Sequence, residues 1–246
     1  LLLTDIQHLL SCNPLLPAYR SAPVVAPAPE PAQQLQPEPV RWCHYAAGLV
    51  DIGDDGQGFA FDNETPRHEV RLAPFALSRS LVTNREVQAF IADGGYRRAE
   101  WWLSDGWAMV QAQGWEAPLY WTSPNTRFSL QGEAAVDPDE PACHLSFYEA
   151  AALAAWAGAR LPTEFEWEAS ARAWGESPPD SPAQCFGAVW QWTRSSYDPY
   201  PRFRPWSGSV AEYNGKFMVG QIVLRGSSFA TPAGHARLSY RNFFPP

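Results

Sequence analysis

The chain has 246 residues, 46% of them hydrophobic and 14% aromatic, enough for one large domain with a sizeable core or one domain plus a piece of another. A formal net charge of −8 excludes general attraction to nucleic acid or to an anionic membrane surface. No apolar run reaches the roughly 18 residues of a membrane-spanning helix, and the opening LLLTDIQHLL, with Asp5 and His8 inside it and no basic flank, does not read as a signal segment.

Taken in chain order, residues 1–10 predict a helix, because Leu2, Leu3, Ile6, Leu9 and Leu10 recur on one face and Asn13-Pro14 stops it. No cap or turn precedes Leu1, so the chain reads as beginning within that helix. Residues 21–39, SAPVVAPAPEPAQQLQPEP, form a linker: repeated proline removes backbone donors and favours an extended polyproline path. A composition shift at Val40-Arg41-Trp42 opens a folded unit predicted to cover residues 40–246. Its helices are announced by a recurring Ser/Thr-x-x-Glu box at Thr83/Glu86, Ser146/Glu149 and Thr163/Glu166, in which hydroxyl and carboxylate satisfy each other's backbone amides. HEVRLAPFAL and QIVLRGSSF alternate like strands, while 95–140 and 174–220 read as long loops rich in Pro, Gly, Trp and Tyr. The class that results is α+β with a large loop content.

Cys12, Cys43, Cys143 and Cys185 lie far apart without a CxxC spacing, so they read as reduced thiols of a cytosolic protein and the localisation as cytoplasmic. His68, His144 and His235 stand alone, without a partner at ligand spacing, and read as structural. Asp62, Asn63 and Glu64 offer oxygens suited to Ca²⁺, with a solvated loop as the default reading. Glu164, Glu166 and Glu168 read as capping residues and a polar helix face, and Arg225 as structural.

GARLPTEFEWEASARA, FGAVWQWTRSSY and VLRGSSFA, in that order, resemble the formylglycine-generating-enzyme-like fold, a relative of C-type lectin folds. The resemblance spans roughly residues 40–246, and three ordered motifs are more specific than any one. Formylglycine formation in that family relies on two cysteines that bind copper as thiolates. The corresponding stretch here, SSFATPAGHARLSYRN, has none, and Thr231 and Asn242 stand where sulfur is wanted, so that activity is excluded. A narrower resemblance fits the rest: EYNGKFM, VLRGSSFATPAGHARLSYRNFFPP and LLLTDIQHLLSCNPLLPAY are similar to the ergothioneine-biosynthesis sulfoxide synthases, the EgtB-like or hercynine oxygenase branch.

That resemblance implies a non-haem Fe²⁺ enzyme using O₂ to join hercynine (trimethylhistidine) to cysteine or γ-glutamylcysteine as a sulfoxide. It implies that residues 1–20 end a DinB-like helical domain, that the three iron histidines lie upstream of Leu1, and that the chain is an internal fragment, inactive alone. No catalytic residue is then assigned within it, and no metal ligand. The implied substrate wall is Asn242 facing the carboxylate or imidazole of hercynine, Phe243 beside the trimethylammonium, and Tyr213; a quaternary ammonium suits aromatic faces. Phe244 takes a place where some relatives carry an Asp that helps hold γ-glutamylcysteine, and Val210 a place where some carry a proton-donating Tyr. Gln191 replaces the Glu of the VWEW motif and Ser227 the second Gly of RGG. Two other readings stand beside this one. One is a lectin-like module using Trp101, Trp102, Trp107, Trp115 and Trp121 on sugar faces; the other is a selenoneine-type synthase, against which EYNGKFM weighs mildly.

Overall fold

A computed structural model of the chain describes residues 2–20, 40–175, 185–208, 213–232 and 234–246. The proline-rich linker over 21–39 and the position of Val210 lie outside the described residues. In chain order the elements are α1 (Leu2–Ser11), β1 (Trp42–Tyr45), β2 (Gly48–Ile52), β3 (His68–Leu72), β4 (Phe75–Ser78), α2 (Asn84–Ala92), α3 (Ser104–Gln113), β5 (Trp121–Ser123), β6 (Thr126–Ser129), β7 (Gly132–Ala135), α4 (Phe147–Trp156), α5 (Glu164–Gly175), β8 (Trp190–Ser196), β9 (Ile222–Gly226) and β10 (Asn242–Phe244). The chain divides into two compact units, one of Leu1–Pro39 with Val82–Trp156 and one of Val40–Leu81 with Ala157–Pro246.

In the first unit α2, α3 and α4 and the turns around residues 95–102 bury Val87, Phe90, Tyr96, Trp102, Val110, Ala152 and Leu153. The predicted box starts α2, where the Thr83 amide donates to Glu86 Oε2 at 2.7 Å. At α4 the exchange is reciprocal, Ser146 N to Glu149 Oε2 at 2.8 Å and Glu149 N to Ser146 Oγ at 3.2 Å. The expectation of a long loop over 95–140 fails, since the stretch holds α3 and the antiparallel sheet β5-β6-β7. Strands of three or four residues are too short for a period of two to show. Within α3 the signal is weakened by Gly106, a poor helix former. Its missing side chain has a use: a Cβ there would come within 2.7 Å of Tyr148 Cβ on α4. The α1 segment joins this unit through the His8 ring, 2.8 Å from the Tyr120 hydroxyl, and through the Tyr19 and Arg20 amides, both donating to the Leu130 carbonyl.

In the second unit β1 pairs antiparallel with β4 and β2 with β3. A third sheet, β10-β9-β8, is antiparallel throughout and sets Asn242 opposite Leu224, Phe243 opposite Val223 and Phe244 opposite Ile222. Its strand β8 lies inside 174–220, so that stretch too is only partly loop. Helix α5 starts on the third box, with Thr163 N donating to Glu166 Oε2 at 2.8 Å and Glu166 N to Thr163 Oγ1 at 3.1 Å. It buries Trp167, whose indole donates to Gln191 Oε1 at 2.8 Å. Gln191 and Ser227, expected to depart from the motifs of the resemblance, each hold backbone groups. Gln191 also donates its Nε2 to the Cys185 carbonyl at 3.0 Å, which a carboxylate cannot do. Ser227 Oγ accepts from the Gly187 amide at 2.8 Å. Gly226 has φ +91° and a Cβ there would meet the Cys185 carbonyl at 2.4 Å, so glycine is required.

Candidate functional site

The final strand hangs on buried charges. Glu164, the first residue of α5, takes Arg241 in a two-point ion pair, Nε to Oε2 at 2.8 Å and Nη2 to Oε1 at 2.9 Å. The remaining Arg241 donors reach the Asn63 carbonyl at 3.1 Å and the Asp198 carbonyl at 2.9 Å, and the guanidinium lies over the Tyr200 and Tyr197 rings. One helical turn on, Glu168 accepts from Arg225, from the Gly53 amide at 2.9 Å and from Arg172 at 3.0 Å. Arg225 in turn donates to the Ser239 and Tyr240 carbonyls at 2.9 and 3.0 Å, so the backbone leading into Asn242 is fixed from both sides. All three glutamates of 164–168 are buried, which corrects the expectation of a polar helix face. Glu166 alone caps; its carboxylate also pairs with Arg160. Arg225 is fully buried and structural, as expected.

Asp62, Asn63 and Glu64 correct the sequence reading as well. They are buried in a single 3₁₀ turn rather than solvated. Glu64 takes Arg237 through Nε and Nη2, the Ser239 hydroxyl at 2.6 Å and the Phe61 amide at 2.9 Å. Asn63 Nδ2 donates to the Tyr197 hydroxyl at 2.8 Å and to the Arg241 carbonyl at 3.2 Å. Asp62 accepts from Asn214 Nδ2 at 2.6 Å, one residue beyond Tyr213. The Asp62 and Glu64 oxygens serve protein donors, while Asn63 Oδ1 is buried without a partner among the described residues. Along the last segment Arg237, Ser239 and Arg241, at alternate positions, all reach buried glutamates.

On this frame the expected wall residues stand as follows. Phe243 stacks on Tyr197 with ring centroids 4.1 Å apart and an interplanar angle of 11°. Phe217 lies 5.7 Å from Phe243 and 5.4 Å from Tyr213, giving an aromatic row Tyr213–Phe217–Phe243–Tyr197. Asn242 is half-buried; its Oδ1 accepts from the Phe243 amide at 3.0 Å and its Nδ2 makes no hydrogen bond among the described residues. Phe244 is exposed at the strand edge. Burial raises the Tyr197 hydroxyl above the ordinary tyrosine range, chiefly by desolvation, so it remains a neutral phenol. Sequence reasoning did not single out Tyr197 or Phe217, and it read Asp62-Asn63-Glu64 as a solvated loop. Tyr197 carried a signal, two residues beyond the Thr-Arg-Ser stretch of a family motif; Asp62 and Glu64 carried none, because their partners lie more than 140 positions away.

Among the described residues no group of three or more His, Cys, Asp or Glu side chains could hold a metal ion, and all four cysteines are free. The described residues therefore do not fit the iron that the resemblance implies. His144 packs edge-on against Tyr120, and His68 and His235 likewise lie against aromatic rings. Trp102 is buried, and Trp101, Trp107, Trp115 and Trp121 pack against the core of their unit, so the five do not form a sugar-binding platform. No helix among the described residues is long and apolar enough to cross a membrane.

The model of the sulfatase-modifying factor enzyme 1-like domain matches residues 28–179, and the chain belongs to that family. Within that class its similarity extends further. It is 38% identical over 239 residues to the hercynine oxygenase of Mycolicibacterium thermoresistibile, covering 80% of this chain and 53% of that protein. To the hercynine oxygenase of Mycobacterium tuberculosis it is 37% identical over 236 residues, covering 80% and 55%. The formylglycine-generating enzyme of Thermomonospora curvata is 35% identical over 188 residues, covering 62% and 60%. The chain thus spans about half the length of the hercynine oxygenases it matches.

Proposed function

We propose that this chain forms the substrate-holding part of a hercynine oxygenase, an oxidoreductase of ergothioneine biosynthesis that joins hercynine to a cysteine-type thiol with O₂. The observation that carries the reading is the aromatic row ending beside Asn242. In it Phe243 offers a ring held flat by Tyr197, while the Asn242 amide keeps an unused donor. A trimethylammonium cannot donate a hydrogen bond but is drawn to ring faces; an amide N–H suits the carboxylate or imidazole at the other end of the same molecule. The chain's own residues here bind and orient. Iron would be held by histidines outside these residues, with residues 1–20 ending a DinB-like domain, 21–39 linking, and 40–246 forming the formylglycine-generating-enzyme-like domain. A cytoplasmic site of action accords with four free thiols.

The test uses the full-length protein. Asn242→Ala should raise KM for hercynine by roughly tenfold or more, the effect of losing one hydrogen bond to a charged group at about 1.5–3 kcal/mol. Phe243→Ala should weaken it by about 0.5–2 kcal/mol through the lost cation–π attraction. KM for the thiol should move less in both. An unchanged hercynine KM in a well-folded Asn242→Ala protein, with only Tm reduced, would show that both residues merely fill the core beside Tyr197.

A further inference from the structure

We propose that a cavity in the second unit, away from the aromatic row, binds a small oxyanion carried on an apolar body. The cavity has a volume of about 320 Å³ and is lined by Ala171 and Arg172 of α5, Phe186, and the run Ala236, Arg237 and Leu238. Two arginines from separate stretches of chain line it, and the rest of the lining is apolar. That composition is what a carboxylate or phosphate with a hydrophobic substituent requires, since apolar walls exclude water and strengthen the charge–charge attraction.

Both arginines are braced by glutamates, and Arg172 is the more exposed of the two. Arg237 rests its Nε and Nη2 on Glu64 and its Nη1 on the His235 carbonyl, and its position is stiffened by the rings of Phe59, Phe61 and Tyr240. Arg172 uses Nη2 alone, on Glu168 and the Asp51 carbonyl; its Nε is buried and has no partner among the described residues. Glu168 is shared with Arg225, so it does not neutralise Arg172 by itself. Arg172, Arg225, Arg237 and Arg241 together have Glu64, Glu164 and Glu168 as their ion-pair partners. The Phe186 wall is set by its edge contact with Trp167, 5.8 Å between centroids. Its neighbour Cys185 adds no negative charge, because burial pushes that thiol up to about 12.

The experiment is calorimetric titration of the protein with inorganic phosphate, phenyl phosphate, benzoate and the uncharged benzamide. Phenyl phosphate or benzoate should bind and benzamide should not; which of the two binds more tightly identifies the head group, and weaker binding of inorganic phosphate reports the apolar wall. Arg172→Gln should lower the affinity roughly tenfold, the loss of one charge-assisted hydrogen bond. The fold should survive, because Glu168 keeps Arg225 and the Gly53 amide. Ala236→Trp, which fills the cavity and spares every charge, should abolish binding. Failure of all three anions to bind at millimolar concentration overturns the assignment, as does equal binding of benzamide or undiminished binding by both variants. The hercynine KM does not enter this test, so its outcome is independent of the function proposed above.

Discussion

The two units solve the same problem with opposite materials. The core of the first is neutral: Val87, Phe90, Trp102, Val110, Ala152 and Leu153 around the Tyr96 hydroxyl, which donates to a single buried carboxyl, Glu149, at 2.6 Å. The core of the second is built on salt: Glu64, Glu164 and Glu168 against Arg225 and Arg241, all nearly inaccessible to solvent. Hydrophobic packing is non-directional and tolerates substitutions of similar volume. A buried ion pair adds little net stability because desolvation offsets the attraction, but it accepts only one geometry. The expected wall residues Asn242 and Phe243 follow directly on Arg241. The difference teaches that charge in this fold serves position more than stability.

The sharpest way to break the contrast is Arg241→Ala, which leaves Glu164 buried without its cation. Removing one partner of such a pair costs about 3–5 kcal/mol, to be read by chemical denaturation. Replacing both partners together, Arg241→Met with Glu164→Leu, should recover most of that loss while still weakening hercynine binding in the full-length protein. Recovery of stability with unaltered hercynine affinity would contradict the positional role. In the neutral core a truncation such as Val87→Ala should cost about 2 kcal/mol, from two lost methyl groups and the cavity they leave. Hercynine KM should not follow it; a matching rise in KM would mean the neutral core also sets the site.

The smallest effect is in pH dependence, where the units should differ in sign. Desolvation raises the Glu149 carboxyl, against the lowering pull of Tyr96 and the Ser146 amide. Its folded pKa thus lies above the unfolded value of about 4.3, and its contribution to stability declines as pH rises from there through the folded pKa. Glu166 is the reverse: burial alone would raise it, but Arg160 and the Thr163 amide outweigh that and lower it. Its contribution is present above the unfolded pKa and is lost as pH falls through the folded one. Melting profiles of Glu149→Gln and Glu166→Gln between mildly acid and neutral pH should therefore diverge from the parent in opposite directions. Parallel profiles would refute the assignment.

What could be read in advance was whatever is encoded locally. The three boxes named α2, α4 and α5 because capping is settled within four residues. The strands HEVRLAPFAL and QIVLRGSSF alternate visibly; the proposed role of Asn242 and Phe243 rests on a motif. What stayed hidden is long-range. Nothing near Glu64 announces Arg237, and nothing near Glu164 announces Arg241, so buried ionic anchors looked like a solvated loop and a polar helix face. Gly106 disguised α3 because its reason lies on another helix, at Tyr148. Phe217 joined the row only once the turn at Gly215–Phe217 was formed on Asn214.

The alternation of Arg237, Ser239 and Arg241 onto buried glutamates separates two kinds of heredity in one short segment. The anchoring positions answer to partners scattered through the chain, and a change in any one needs a matching change elsewhere. Asn242 and Phe244, by contrast, make no side-chain bond to those anchors. Substitutions at the strand's end can therefore change what it displays while the scaffold beneath stays as it is. New ligand preference is then one or two substitutions away, and the fold is not put at risk in reaching it.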